Sequence, residues 1–160
     1  MVRIRDLALS HRLFASTYRW RVIREVPAAR LRRPLASCRV ALVSSAGLVA
    51  PGDEPFDEGV RGGDFSYRLI GSDVDVQTLT EHHRSDAFDH SGIDRDRNLG
   101  LPLERLCELE RAGHIGSVAP RHVSLMGSIT APGRLVRHTL PRIADDLIAD
   151  DVDVALMVPV

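Results

Sequence analysis

Short apolar runs, separated by polar and glycine-rich segments, organise most of the chain. Residues 38–47 join a β-branched apolar run to a Ser-Ser-Ala-Gly end, which predicts a buried parallel strand. Residues 64–70 alternate well enough for a second strand, and residues 51–63 before them form a predicted loop. Residues 153–160 are almost continuously apolar, which predicts a last buried strand.

Two segments have the periodicity of helices. Residues 101–113 begin near Pro102 and end at Gly113, a favourable C-terminal cap. Residues 132–150 carry a second apolar stripe at helical spacing and lead into the last predicted strand. Helix followed by strand is the order of a βαβ unit. We therefore predict an α/β fold class, a flavodoxin- or Rossmann-like layered domain with a parallel sheet, over residues 38–160.

Residues 1–37 differ in composition and predict an Arg-rich arm. Arginine greatly outnumbers Asp6 and Glu25, and Phe14, Tyr18 and Trp20 follow at helical spacing. We predict a short amphipathic helix over about residues 8–23 and then an extended, Pro-containing segment. Such an arm can bind RNA or an acidic surface, or it can pack its aromatic rings on the domain. No nucleic-acid module accompanies it, so we favour packing and expect no nucleic-acid partner.

Composition narrows the class of protein. The 160 residues are 44% hydrophobic and 27% charged with a net charge of −1, which excludes a polybasic nucleic-acid binder and an acidic disordered chain. No apolar run is long enough for a membrane helix, and the N-terminus lacks a secretory signal. Cys38 and Cys107 form no metal or redox motif. We therefore expect a reducing, cytoplasmic location and no membrane partner.

The most concentrated polar chemistry lies in residues 82–98, where His and Asp recur. Three His and four Asp within these seventeen positions could ligate a metal or act as acid and base, and Asp89 and His90 are the candidates there for lining a pocket. The spacing matches neither the HExxH pattern nor a calcium loop, and we predict no metal. A substrate or partner loop and a purely structural loop stiffened by Asp–Arg pairs remain open.

Two further pairs complete the candidate substrate pocket. Ser44 and Ser45 end the first predicted strand, and ligands bind at such ends in open α/β sheets. Arg121 and His122 lie in a Gly-rich stretch over residues 113–127 that has no phosphate-binding signature. The alternative for the first pair is that the small residues up to Gly47 only make a tight turn.

Several motifs in order resemble the selenoprotein B family of the glycine, sarcosine, betaine and D-proline reductases. The likeness is strongest to its shorter, proline-reductase-like members and covers nearly the whole chain. The segments that carry it are residues 18–21, 40–47, 63–68, 89–91, 94–98, 102–106, 113–116, 119–122 and 126–127.

The resemblance implies a reaction whose nucleophile, a selenocysteine or cysteine, is not among these residues. In that family the last strand runs into a selenocysteine or cysteine, followed by a nearby Cys and a further α/β half. The expected nucleophile would therefore follow Val160, and we expect the chain to be the front part of a larger α/β selenoprotein, ended at a selenocysteine codon. A deliberately shortened fragment and a true short paralogue are the alternatives. Cys38 and Cys107 do not occupy the active position.

The family's chemistry is a reductive C–N bond cleavage by a selenolate or thiolate, with a thiol resolving the product. The resemblance implies a small amine substrate, a thiol reductant and, on a partner subunit only, a pyruvoyl group, so that we expect no cofactor in this chain. We expect an oligomer. The alternative is a non-catalytic subunit-interaction or small-molecule-binding module. Metal-dependent hydrolysis by the His/Asp cluster is a weaker third possibility.

Overall fold

The computed structural model describes residues 9–17, 29–85 and 90–160, and the chain divides into two compact units, Met1–Arg30 and Leu31–Val160. The described residues of the first unit are helix α1, Leu9–Thr17, and residues 29–30. Helix α1 falls within the predicted helix over residues 8–23. The remainder of that helix lies outside the described residues, as do Tyr18 and Trp20 of the arm.

The second unit is a layered α/β domain, as predicted. Its strands are β1 Arg39–Ser44, β2 Leu48–Val49, β3 Tyr67–Gly71, β4 Thr80–Glu81, β5 Ser117–Val118, β6 Arg121–Leu125 and β7 Val154–Val158. Its α-helices are α2 His90–Arg95, α3 Leu103–Arg111 and α4 Leu140–Ala149, the last preceded by a π-helical turn at Leu135–Thr139. Short 3₁₀ turns occupy Leu35–Ser37, Val76–Thr78 and Arg97–Leu99.

Strand β1 lies inside the main sheet. Val43 is opposite Val123 of β6 and also opposite Met157 of β7, so β6 and β7 flank β1 on its two sides, both parallel to it. The short β5 pairs with the start of β1 on the same side as β6. Strand β3 joins the outer side of β6 in antiparallel direction, which makes the sheet mixed with a parallel centre.

Side chains alternate between the two faces of β1 and enter two cores. Leu42 belongs to the larger core, which includes Leu103 and Leu106 of α3. Val43 points to the opposite face and packs with Val123 and Ile143 of α4. The helices predicted from residues 101–113 and 132–150 are thereby confirmed, and each covers one face of the sheet through its apolar stripe.

Three details differ from the sequence predictions. The last strand is confirmed, but the prediction that it is buried is wrong, since Leu156 is 47% and Met157 63% exposed. Residues 121–125 form a strand that the sequence did not predict. The polar stretch 82–98 is not one loop, because His90–Arg95 is helical and Arg97–Leu99 is a 3₁₀ turn.

Candidate functional site

The carboxyl ends of β1, β6 and β7 share one edge of the sheet because the three strands are parallel. A two-stranded ribbon brings a polar segment to that edge. Leu48 of β2 pairs with Glu81 of β4, and the His82 amide donates to the Gly47 carbonyl at 2.9 Å. The residues just after β1 therefore lie beside the start of the predicted polar cluster.

Glu81, on the ribbon, joins two histidines. One carboxylate oxygen lies 2.6 Å from Nδ1 of His90, and the other accepts a hydrogen bond from the His83 amide. The His83 and His90 rings meet edge to face, with their centroids 6.2 Å apart. Together with Ser45 we call these residues the strand-end cluster: Ser45, Glu81, His83 and His90.

The pKa values of the two histidines are shifted in opposite directions. The hydrogen bond that His90 donates to the Glu81 carboxylate raises the pKa of His90 above its ordinary value. Burial lowers the pKa of His83, although the Glu81 charge acts in the opposite direction. The cluster thus holds a half-exposed imidazole whose pKa is raised next to a buried imidazole whose pKa is lowered. Such a pair can stabilise an anion and move a proton at the strand ends.

Two glycines let the cluster approach the sheet closely. Gly47 has φ +68°, and a Cβ there would lie 2.8 Å from the His83 amide nitrogen. Gly127 follows β6 with φ +69°, and a Cβ there would meet the Ser45 carbonyl and lie 2.6 Å from Nε2 of His83. Gly127 therefore sits between Ser45 and the His83 ring. Only glycine fits these two positions without strain.

The predicted serines have different surroundings. Ser44 is fully buried; its hydroxyl donates to the Gly100 carbonyl at 2.6 Å and accepts from the Ala46 amide at 3.1 Å. Ser45 is partly exposed, and its hydroxyl accepts a hydrogen bond from the Val160 amide at 3.0 Å. A cavity of about 130 Å³ opens beside both, lined by the ends of β1, β6 and β7. Ser44 braces the turn, and Ser45 faces this cavity.

The structure places Arg121 and His122 away from the cluster. Arg121 begins β6, at the opposite edge of the sheet, and its guanidinium makes two 2.9 Å hydrogen bonds to Asp150. His122 is fully buried within β6, where Nδ1 accepts from the Leu42 amide at 3.0 Å. Burial lowers the pKa of His122 to about 4. Both residues have structural partners at these positions.

The remaining candidate residue, Asp89, lies outside the described residues. Among the residues that the structure does describe, no group of three His, Cys, Asp or Glu side chains has the arrangement of a metal site. Neither cysteine is at the strand ends: Cys38 is buried before β1, and Cys107 is on α3. The substrate pocket of six residues that the sequence suggested stays a prediction. Of those six residues, the structure brings Ser45 and His90 towards the same edge of the sheet.

The sequence analysis placed His83 in the polar stretch 82–98 without naming it as a pocket candidate, and it did not consider Glu81. Both depend on the pairing of β2 with β4, which joins residues more than thirty positions apart. A local pattern carries no signal for that contact.

A wider groove of about 830 Å³ lies on another part of the domain, lined by β3 and α4 residues such as Tyr67 and Arg142. It contains none of the predicted site residues.

Comparison with known proteins identifies the family. The family model described as glycine/sarcosine/betaine reductase selenoprotein B matches residues 6–159. The chain belongs to this family. The chain is 30% identical over 125 residues to D-proline reductase subunit gamma of Acetoanaerobium sticklandii. It is 31% identical over 125 residues to sarcosine reductase complex component B subunit beta of Peptoclostridium acidaminophilum.

A third relative, glycine reductase complex component B subunit gamma of Symbiobacterium thermophilum, is 26% identical over 125 residues. The three matches cover 78%, 75% and 78% of this chain. They cover only 50%, 28% and 29% of the relatives' own lengths, so the chain spans half of one relative and under a third of the other two. No solved structure matches the chain. In the part of the chain that the structure describes, no helix is long and apolar enough to span a membrane.

Proposed function

We propose that this chain is one component of a selenol- or thiol-dependent reductase that cleaves a C–N bond in a small amine. The strand-end cluster is the polar wall of its active site. The observation that carries this proposal is the Glu81–His90 pair beside the neutral His83, at the edge where three parallel strands end. Open α/β sheets bind their ligands at such an edge.

The chain's own side chains suit this task. The Glu81 carboxylate favours a protonated His90, which attracts an anionic nucleophile or a substrate carboxylate. The buried His83 stays neutral and can accept a proton. Ser45 lines the cavity at the strand ends, and its hydroxyl can donate a hydrogen bond.

The reacting selenolate or thiolate comes, in this proposal, from outside the 160 residues. Cys38 and Cys107 lie away from the strand ends, which supports that assignment. A selenolate would supply a nucleophile that is already ionised at neutral pH, whereas an ordinary thiol with a pKa of about 8.5 is mostly protonated there. In the net reaction a C–H bond replaces the C–N bond, the amine leaves with a proton, and a dithiol is oxidised to a disulfide. A pyruvoyl group, where one takes part, belongs to a partner subunit.

The test uses the complex that co-purifies with this chain, carrying an N-terminal tag, from the cells that make it. The complex is incubated with dithiothreitol and, separately, glycine, sarcosine, betaine or D-proline. We expect thiol-dependent consumption of one of these amines, with one disulfide formed per C–N bond broken. Absence of turnover with all four amines, from an intact complex, would contradict the proposal.

The second candidate function is a non-catalytic module for subunit interaction or small-molecule binding. It is favoured by the absence of a cysteine at the strand ends and by the exposed apolar side chains of β7. The two functions differ in one outcome. A complex whose turnover is unchanged when Ser45 and His90 are both replaced by alanine would favour the module.

The two cysteines form no disulfide, which supports a reducing, cytoplasmic site of action.

A further inference from the structure

The groove of about 830 Å³, which we call the β3 groove, follows an open edge of the main sheet. Five consecutive residues, 65–69, line it, and no other described strand pairs with the outer edge of β3. Tyr67 and Leu69 pack on the α4 side, whereas Arg68 is in register with the buried Ser124 and faces the other side. Because the lining includes residues from both faces of β3, the groove runs along the strand edge.

The α4 side of the β3 groove carries positive charge without a carboxylate partner. The exposed Arg137 and Arg142 line it, and neither forms an ion pair with a carboxylate in the described part of the chain. The Arg142 guanidinium lies 5.7 Å from the centroid of the Tyr67 ring, a cation–π distance. The Tyr67 hydroxyl donates to Asp146 at 2.5 Å, which fixes that ring. A guanidinium resting on a fixed ring keeps the N–H groups at its edge free for a carboxylate.

The other side of the β3 groove has a different charge. Asp53 and Glu54 line the groove there, beside Arg68. The Arg68 guanidinium already donates to the carbonyls of Glu54 and Pro55, at 2.6 and 3.0 Å. Acidic side chains are therefore attracted to the α4 side and repelled from this one. Because side chains alternate between the two sides of a strand, this pattern fits a strand with an acidic residue at every second position.

We propose that the β3 groove binds an extended segment of a partner protein, which pairs with the outer edge of β3 and places acidic side chains on Arg137 and Arg142. Backbone hydrogen bonds supply affinity in such strand addition, and the charges select the segment and fix its register. A helical segment would leave the strand edge unpaired, and a small anion would fill only part of the groove. The inference rests on charge and strand pairing, and it does not depend on the proposed reaction.

The test measures the binding of two synthetic peptides to the purified 160-residue chain by fluorescence anisotropy. The probe is fluorescein-labelled Thr-Glu-Val-Glu-Thr-Glu-Thr, in which acidic residues alternate. The control peptide, Thr-Val-Thr-Glu-Glu-Glu-Thr, has the same composition and charge, so a difference in affinity reports the alternation. Hydrogen–deuterium exchange identifies the edge that is used, because an added strand protects edge amides. Strand β7 is the comparison, since its outer edge is also unpaired among the described strands.

We expect the alternating peptide to bind about tenfold more tightly than the control peptide, because only an alternating strand can pair with β3 and reach both arginines. It should slow exchange in residues 67–71 and not in residues 154–158. Equal affinity for the two peptides, including no binding of either, would overturn the proposal. Protection of β7 in place of β3 would overturn it as well.

A pair of variants tests the charges separately from the strand edge. The double variant Arg137→Gln/Arg142→Gln should bind the alternating peptide about tenfold more weakly, since it removes two charge pairs. The matched control is Arg105→Gln, at an exposed arginine of α3 that pairs with Glu108 at 2.9 Å, and it should bind as the wild type does. Circular dichroism verifies that both variants are folded. Equal affinity of the double variant and Arg105→Gln for the peptide would contradict the proposal.

Discussion

Acidification should destabilise the domain through His122, at the centre of the sheet. The imidazole is fully buried, and burial lowers its pKa from the ordinary 6.5 to about 4. Between these two values the unfolded chain binds a proton that the folded chain does not, so the free energy of unfolding falls as the pH falls below 6.5. Each pKa unit corresponds to about 1.4 kcal/mol, which gives a loss of about 2 kcal/mol at pH 5 and about 3 kcal/mol at pH 4.

The assay is urea unfolding followed by circular dichroism at several pH values between 7.5 and 4.5. The variant His122→Asn keeps a side-chain oxygen that can accept from the Leu42 amide but does not titrate. We expect it to be less stable than the wild type at pH 7.5, because the smaller side chain leaves a cavity. Its stability should fall less steeply on acidification, and the difference in slope isolates His122 from the other histidines.

The control is His114→Asn, which makes the same substitution at an exposed histidine. A slope for His122→Asn equal to that of the wild type between pH 7 and pH 5 would refute the reasoning. A second measurement covers the case of a variant that does not fold. In the NMR spectrum of the wild-type chain, the His122 ring signals should not titrate above pH 5. A titration midpoint near pH 6.5 for these signals would contradict the prediction.

Three other predictions follow from the same contacts. Gly127→Ala should lower the free energy of unfolding by about 1–3 kcal/mol in urea, because its Cβ would collide with the His83 ring at a positive φ; a neutral effect would be contradictory. Ser44→Ala should cost about 1–3 kcal/mol in the same assay, since the Ala46 amide and Gly100 carbonyl lose their buried partner, and a change under about 0.5 kcal/mol would count against this. The isolated 160-residue chain should show no dithiothreitol-dependent loss of D-proline or glycine, and multiple turnovers would show that its own groups suffice.

The elements predicted correctly are those with a local signal. Strand β1 and helices α3 and α4 follow from apolar spacing, which depends on residues close together in the chain. Strand β6 was missed because Arg121, His122 and Ser124 interrupt its apolar pattern. Two of these polar residues are nevertheless fully buried, and His122 takes the place of a backbone acceptor for β1.

Two other features needed the three-dimensional structure. The pairing of Glu81 with His90 depends on the β2–β4 ribbon, a contact between distant segments that no spacing rule reveals. The pattern of β7 predicted an apolar strand, but apolarity does not say which neighbour covers it. The exposure of Leu156 and Met157 therefore had to be read from the packing.

The measurement closest to the central claim is the pH dependence of turnover by the co-purified complex when Glu81 is changed to Gln. Glu81 acts through His90, so we expect kcat to fall about tenfold or more and the pH at which His90 loses its proton to move lower. The matched control is Glu110→Gln, at a carboxylate that accepts from the Val118 amide at 3.2 Å, away from the strand ends. Wild-type kcat and an unmoved pH profile for Glu81→Gln, equal to those of Glu110→Gln, would contradict the account.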